Sequence, residues 1–254
     1  MEGSSMNDFL RKLGFPLRPS FRIDSREALA KAAESFGILP FFPNNIKGLS
    51  VEEMCLPGML FGGNYDEGCW EWKGPVIRRR TTAYGKFFKR KAGFVSLDLL
   101  PYFLKYRRTA YPVKEGGMEE MLLEIIREND SLSSTELKGL IFSEYKRENW
   151  DDLPEISTQG NKVNSKKGRK SLEGPLQRLQ MGGWIIISDF EYKLTKRGER
   201  YGWGVARYST PELTFLDKME EINLSSKESF DFLVKEMKRR WQSGSKKSFE
   251  QLLK

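Results

Sequence analysis

After Gly116-Gly117 the apolar residues change period in a fixed order, and that order restricts the fold more than any other feature of the chain. Residues 118 to 128, MEEMLLEIIRE, place Met121, Leu122, Ile125 and Ile126 on one helical face. SLSSTELKGLIFSEY follows, with Ser133 and Glu136 at capping-box spacing ahead of Leu137, Leu140 and Ile141. A polar stretch, about Asn149 to Lys170, holds Trp150 and Pro154 but is mostly Asn, Ser, Gly and Lys, which predicts a loop. SLEGPLQRLQMGG then returns to helical spacing, aligning Leu172, Leu176 and Leu179, with Gly182-Gly183 where a C-cap glycine belongs. WIIISDFEYKL and WGVARYS predict two strands around the basic turn LTKRGERYG. Helix, helix, loop, helix, hairpin is the element order of a winged helix-turn-helix, whose third helix is the usual recognition element.

Basic residues cluster at the two places where such a module touches its partner. Lys162, Lys166, Lys167, Arg169 and Lys170 lie just upstream of the third helix, and Arg178 lies on it. A helix N-terminus already favours phosphate through its free N–H groups and its dipole. Lys193, Lys196, Arg197 and Arg200 occupy the hairpin tip, the position of a wing. The net charge is +8 over 254 residues, and its clustering points to an anionic partner, nucleic acid and in particular double-stranded DNA. The other reading is a solvated basic loop on a protein-interaction module or a transcriptional regulator. A regulator should dimerise on a palindromic site, whereas a repair protein can act as a monomer, the state expected here. In the second strand Tyr201, Trp203 and Val205 share a face opposite Gly202, Gly204 and Ala206. The aromatic face is expected to pack on the third helix in one core with Trp184 and Phe190, while the small face would admit a close-approaching strand.

The first 117 residues have a different texture, and the chain divides into a mixed domain (1–117), the winged-helix module (118–212) and a C-terminal helical segment (213–254). REALAKAAESF predicts a short amphipathic helix over 26–36 capped by Ser25. From Leu39 to Arg108, runs such as LPFFPNN, CWEWKGPVIR, AYGKFFKRKAGFVS and LPYFLKYRR predict short strands with a helix or two. The fold class is therefore α+β: a small mixed domain, a winged helix and C-terminal helices.

This first region carries a third basic group: Arg78, Arg79 and Arg80, then Lys89, Arg90 and Lys91. Interleaved aromatics could stack bases beside them, but for Phe87, Phe88 and Phe94 the half-buried sheet pattern is favoured. Glu71, between Trp70 and Trp72, is the candidate catalytic carboxylate, because a poorly solvated pocket would raise its pKa. Its alternative is a strand carboxylate paired with a nearby arginine. Asp66, Glu67 and Asp98 are weaker candidates.

Several chemistries are excluded or unsupported. The chain has no histidine, which removes Ser-His-Asp and Cys-His nucleophile pairs and the commonest zinc ligand. Cys55 and Cys69 alone make neither a disulfide framework nor a zinc site. There is no P-loop, GxGxxG, HExxH or EF-hand loop, so no metal and no cofactor is expected. No apolar run approaches the roughly 20 residues of a membrane span and no secretory signal is visible, so a cytoplasmic protein with no membrane partner is expected.

The phrases WEWKGPVIR, AYGKFFKRKAGFVSLDLLPYF and LQRLQMGGWIIISDFEYKLTKRGERYGWGVARYSTPE resemble the AlkZ-related proteins over most of residues 36 to 212. That group is similar to the AlkZ/YcaQ family of bacterial DNA glycosylases, built from winged-helix domains. The resemblance implies a DNA partner and excision of alkylated or crosslinked bases. The glycosylases position water with Gln-x-Gln or Gln-x-Asp. Here Gln177 and Gln180 are three apart and Gln159 is isolated, so no catalytic residue carries over. Either the activity is absent or another residue, such as Glu71, has taken the role.

Overall fold

The computed structural model describes residues 22–62, 67–144, 172–198, 200–241 and 243–254. The first element, α1 (Arg26–Phe36), starts where Ser25 Oγ accepts a hydrogen bond from the Ala28 N–H at 3.2 Å. Its buried face, Leu29, Ala30, Ala32 and Ala33, packs beside a three-stranded antiparallel sheet. The strands β1 (Ile38–Pro40), β2 (Thr82–Phe88) and β3 (Lys91–Ser96) lie in the order β1-β3-β2. Phe87, Phe88 and Phe94 are buried in this sheet, although burial along β2 does not alternate and the consecutive Phe87 and Phe88 are both covered.

Of the four runs expected to give short strands with a helix or two, two are helices. CWEWKGPVIR forms α3 (Cys69–Arg78), after the short α2 (Val51–Met54), and LPYFLKYRR falls within α4 (Leu100–Ala110). In α4 the buried residues Leu100, Phe103, Leu104 and Arg107 recur at helical spacing, and in α3 Trp72, Val76 and Ile77 do the same. Local β-propensity and the Gly74-Pro75 break signal lose here to burial of these faces, since tertiary packing overrides weak local preferences. Cys55 and Cys69 are joined as a disulfide, a single bridge that closes the loop between α2 and α3.

The second half runs α5 (Met118–Glu128), β4 (Leu132–Ser133), α6 (Ser134–Glu144), α7 (Glu173–Met181), β5 (Ile186–Leu194) and β6 (Arg200–Ser209). The capping box is present: the Ser133 N–H donates to Glu136 Oε2 at 2.7 Å, and the Glu136 N–H donates to Ser133 Oγ at 3.2 Å. The helix α7 stops at Gly182-Gly183, where Gly183 takes the left-handed backbone (φ 68). A Cβ there would also meet Leu104 Cδ2 at 2.6 Å, so that side chain would have to shift. The three strands form an antiparallel sheet in the order β4-β6-β5.

Burial divides into two clusters. The smaller joins Met118, Leu122 and Ile126 of α5 to Leu137, Leu176, Leu179 and Ile185. The larger surrounds the first sheet and is completed from the far end of the sequence by α9 (Ser226–Arg240) and α10 (Lys246–Leu253), which follow α8 (Pro211–Phe215). Leu233, Met237, Trp241, Phe249, Leu252 and Leu253 are buried there, and Tyr102 stacks on Phe232 at 4.1 Å between centroids. Ile186 and Ile187 of β5 belong to the larger cluster, next in sequence to Ile185 of the smaller one.

Arg107 fixes these parts to one another. It is 1% exposed, and its guanidinium donates to Met181 O (2.6 Å), Leu253 O (2.7 Å) and Phe87 O (2.8 Å). Met181 and Leu253 end α7 and α10, so the cation meets two negative helix ends and the edge of β2. Burial lowers its pKa, yet an arginine stays protonated, and the carbonyl dipoles and the Tyr111 ring at 4.5 Å compensate the charge. We expect Arg107→Met to lower the unfolding free energy in urea by about 3–5 kcal/mol, because three buried carbonyls would be left without a donor. Arg107→Lys should recover only part of that stability. A change under about 1 kcal/mol in Arg107→Met would show that the three segments hold together without the guanidinium.

Candidate nucleic-acid interface

The hairpin between β5 and β6 presents a compact group of exposed cations. Lys193, Lys196 and Arg197 are exposed, and none makes an ion pair among the described residues. Arg200 begins β6, and its side chain lies outside the described residues. The cluster Lys162, Lys166, Lys167, Arg169 and Lys170 also lies outside them, as do Gln159 and Asp66. On the described part of α7, Glu173 and Gly174 in the first turn are exposed. Its other faces pack on α5 and on β2. Gln180 is buried and ties α7 to β2: its Oε1 accepts from the Lys86 N–H at 3.0 Å and its Nε2 donates to Leu176 O.

The third basic group is divided by its partners. Arg78 pairs with Asp189 of β5 at 2.7 Å, Arg79 with Glu27 of α1 at 3.1 Å, and Arg178 with the buried Glu119 of α5 at 2.9 Å. These three arginines brace neighbouring elements, and a phosphate would have to compete with a carboxylate for each of them. Arg80 closes the turn after α3 in left-handed backbone (φ 56). Lys89, Arg90 and Lys91 are exposed at the β2–β3 turn, where Lys91 Nζ reaches Pro43 O at 3.4 Å. Lys89 (φ 48) and Arg90 (φ 68) both occupy the left-handed region between the paired residues Phe88 and Lys91. A two-residue turn of that conformation favours Asn-Gly, so two bulky cations hold it at a cost in strain.

The carboxylates singled out in the sequence have structural duties. Glu71 is not on a strand beside arginines: it lies in the first turn of α3, where Oε2 accepts from the Gly68 N–H at 3.1 Å. Glu67 pairs with Arg26 at 3.1 Å. For Asp98, burial works to raise the pKa, but hydrogen bonds from Arg240 and Ser96 outweigh it and hold the carboxyl below its ordinary value. That residue ties the end of the first sheet to α9.

The aromatic face of β6 also differs from expectation. Trp203 does not pack on α7. It is 70% exposed and meets Trp70 of α3 at 5.9 Å and Phe61 at 6.4 Å, both edge to face. Phe61 is itself 55% exposed and 5.7 Å from Trp70. Trp184 and Phe190 are in different clusters: Trp184 packs on the smaller, Phe190 on the larger, where it meets Tyr84 at 6.1 Å. The small face is already filled at Gly204, since a Cβ there would meet the Tyr192 ring at 2.9 Å.

Behind this aromatic group lies Lys73, a residue that the sequence does not announce. It is 3% exposed, its Nζ is 3.8 Å from the Trp70 ring centre and 4.5 Å from that of Phe190, and it donates to Trp70 O. Burial pushes its pKa down to about 8 against the opposing pull of Glu71. Only its position one turn after Trp70 would have signalled it, and that signal needs the run to be a helix rather than the strand its residues suggest.

With this geometry in place, the chain's similarities are informative. A family model described as AlkZ related matches residues 23–254. The chain belongs to the AlkZ-related family. No curated protein matches it in sequence. Among solved structures it is similar to the Streptomyces sahachiroi DNA glycosylase AlkZ at 11% identity and a TM-score of 0.44, over 93% of this chain and 57% of that one. It thus spans little more than half of that protein's length. Among its described residues no helix is long and apolar enough to cross a membrane.

Two stability measurements bear on these features of the AlkZ-related chain. In the unfolded state Lys73 regains an ordinary lysine pKa near 10.4, so between about pH 8 and 10 the unfolded chain binds more protons. Wild-type stability should therefore rise with pH in that window by up to about 1.4 kcal/mol per unit relative to Lys73→Met, read by urea unfolding. The contact with Trp70 favours the charged form and moderates the slope. Parallel pH curves for the two proteins would show that the ammonium is not desolvated. Replacing Lys89 and Arg90 by Asn and Gly should raise stability by about 1 kcal/mol, and a decrease would contradict the left-handed turn.

Proposed function

We propose that residues 118–209 form a winged helix and that the protein binds duplex DNA through it, as a monomer, in a repair-related role. The observation that carries this reading is the cluster Lys193, Lys196 and Arg197 at the tip of the β5–β6 hairpin, exposed and without an ion pair among the described residues. The element order and the sheet order β4-β6-β5 support reading that hairpin as the wing and α7 as the third helix. Because α7 is packed on both α5 and β2, the wing supplies most of the contact. Membership of the AlkZ-related family, whose name refers to a DNA glycosylase, supports DNA as the partner. The sequence upstream of α7 contributes five further cations, Lys162, Lys166, Lys167, Arg169 and Lys170.

No residue is assigned to bond cleavage. Gln180 is occupied in joining α7 to β2, and Glu71 caps α3. The proposed activity is therefore recognition and docking, which needs cations and a shape that fits a duplex. Electrostatic contacts of this kind release counterions, so affinity must fall as salt rises.

Fluorescence anisotropy with a labelled duplex of about 20 base pairs across a salt series tests the proposal. Wild type should bind at low salt, with log K falling linearly in log salt. The triple variant Lys193→Ala, Lys196→Ala, Arg197→Ala should have a shallower slope, by about 0.9 for every phosphate that the hairpin no longer neutralises. Absence of binding at low salt, or an unchanged slope in the triple variant, would remove the hairpin from the interface. Light scattering of the complex should give one protein per duplex, and a two-to-one stoichiometry would favour a dimeric regulator.

A further inference from the structure

Beside the proposed wing, two exposed rings meet a half-buried tryptophan at the edge of the core, where Trp70 also packs on Phe41. Trp203 and Phe61 are the most exposed large aromatics among the described residues, at 70% and 55%. They project from different parts of the chain, β6 and the loop between α2 and α3, and converge on Trp70 of α3. The rings of Trp70 and Trp203 stand at 88° and those of Phe61 and Trp203 at 87°, so the group is a notch of perpendicular faces. Exposing two such rings side by side costs free energy that a solvated surface residue would not.

The notch is held in place from behind. Lys73 Nζ lies against the Trp70 ring, and the N–H groups of Cys69 and Trp70 bond to the carbonyls of Met59 and Leu60 at 2.9 and 2.8 Å. The Cys55–Cys69 bridge closes the same loop that carries Phe61. Trp203 meets Trp70 and Phe61 edge to face, and Tyr192 and Phe190 fill the space beside the neighbouring Gly204. These contacts set the positions of the rings in advance, which reduces the ordering cost of receiving a ligand.

The charge around the notch selects its occupant. Lys193 is the register partner of Tyr201, two residues before Trp203, and Lys196 and Arg197 follow in the same hairpin. Leu194, 59% exposed, pairs with Arg200, three strand residues or about 10 Å from Trp203. An apolar ring system beside available cations matches one ligand chemistry: a flat heteroaromatic ring carried on a polyanionic backbone. Resting on the duplex-docking reading above, we propose that Phe61, Trp70 and Trp203 stack a single unpaired nucleobase displaced from a duplex held by the hairpin. The cations engage the phosphates, the rings receive the base, and no base-edge hydrogen bond is required, so any base can enter.

The test compares three labelled duplexes of about 20 base pairs by anisotropy at fixed salt: fully paired, carrying one bulged adenine, and carrying an abasic residue at the bulge. Wild type should bind the bulged adenine about 5- to 100-fold more tightly than either of the others, the worth of one base–aromatic stack. Tryptophan fluorescence should be quenched by the bulged duplex alone. Trp203→Ala and Phe61→Ala replace exposed side chains; each should abolish the preference while leaving affinity for the paired duplex unchanged. Trp203→Phe should restore part of the preference. Equal affinity for the bulged and abasic duplexes, or a preference that survives Trp203→Ala and Phe61→Ala, would overturn the stacking site and leave the docking reading intact. Failure to bind any of the three duplexes would overturn both.

Discussion

A buried guanidinium organises this protein. Arg107 reaches three backbone carbonyls that lie 20, 74 and 146 residues away in sequence, at the ends of β2, α7 and α10. A lysine could not do the same, because its single nitrogen does not spread donors in a planar fork. Two of the three acceptors are helix C-termini, whose unpaired carbonyls otherwise need water or a cap. One side chain thus satisfies backbone groups from both burial clusters and from the end of the chain. The position of α7, and with it the third helix of the proposed winged helix, depends on this joint.

From that joint the division of labour among the basic residues follows. The helix α7 is locked between α5 and β2 by Arg178–Glu119 and by Gln180, so its surface is mostly given over to packing. Arg78 and Arg79 brace α3 against β5 and α1. Cations used in this way contribute little to an external field, because a carboxylate sits beside each. The β5–β6 hairpin carries two lysines and an arginine, Lys193, Lys196 and Arg197, that have no such neighbour among the described residues. Other exposed cations, such as Lys31, Lys105 and Lys138, are scattered over separate elements, whereas the hairpin tip brings three together.

The aromatics divide in the same way. Phe87, Phe88, Phe94 and Tyr84 serve the core of the first sheet, while Trp203, Phe61 and half-buried Trp70 line the outside where β6 meets α3. Alternation along β6 would set Trp203 apart from Gly202 and Gly204, but the register shifts beside Trp203, and alternation says only which residues share a face. Which face meets the core is set by what packs against the strand. Here Tyr192 and Phe190 take the space beside Gly204, and Trp203 is left at the surface.

The sequence by itself determined the elements whose signals are local. Ser25 and the Ser133–Glu136 capping box start their helices, Gly183 ends α7 in left-handed backbone that costs glycine no Cβ clash, and the helices and hairpin from α5 to β6 follow from period, apart from the short β4. It also settled which nucleophilic chemistries are absent, since a chain without histidine cannot form His-based pairs. Only the tertiary structure decided that CWEWKGPVIR and LPYFLKYRR are helices, because burial of one face outweighed their local β signals. Only the tertiary structure decided that Glu71 caps a helix, that Arg78 and Arg178 are paired, and that Lys73 and Arg107 are buried. Those outcomes depend on partners dozens of residues away, such as Asp189 for Arg78 and Leu253 for Arg107, and no pattern read along the chain encodes which distant group a side chain will meet.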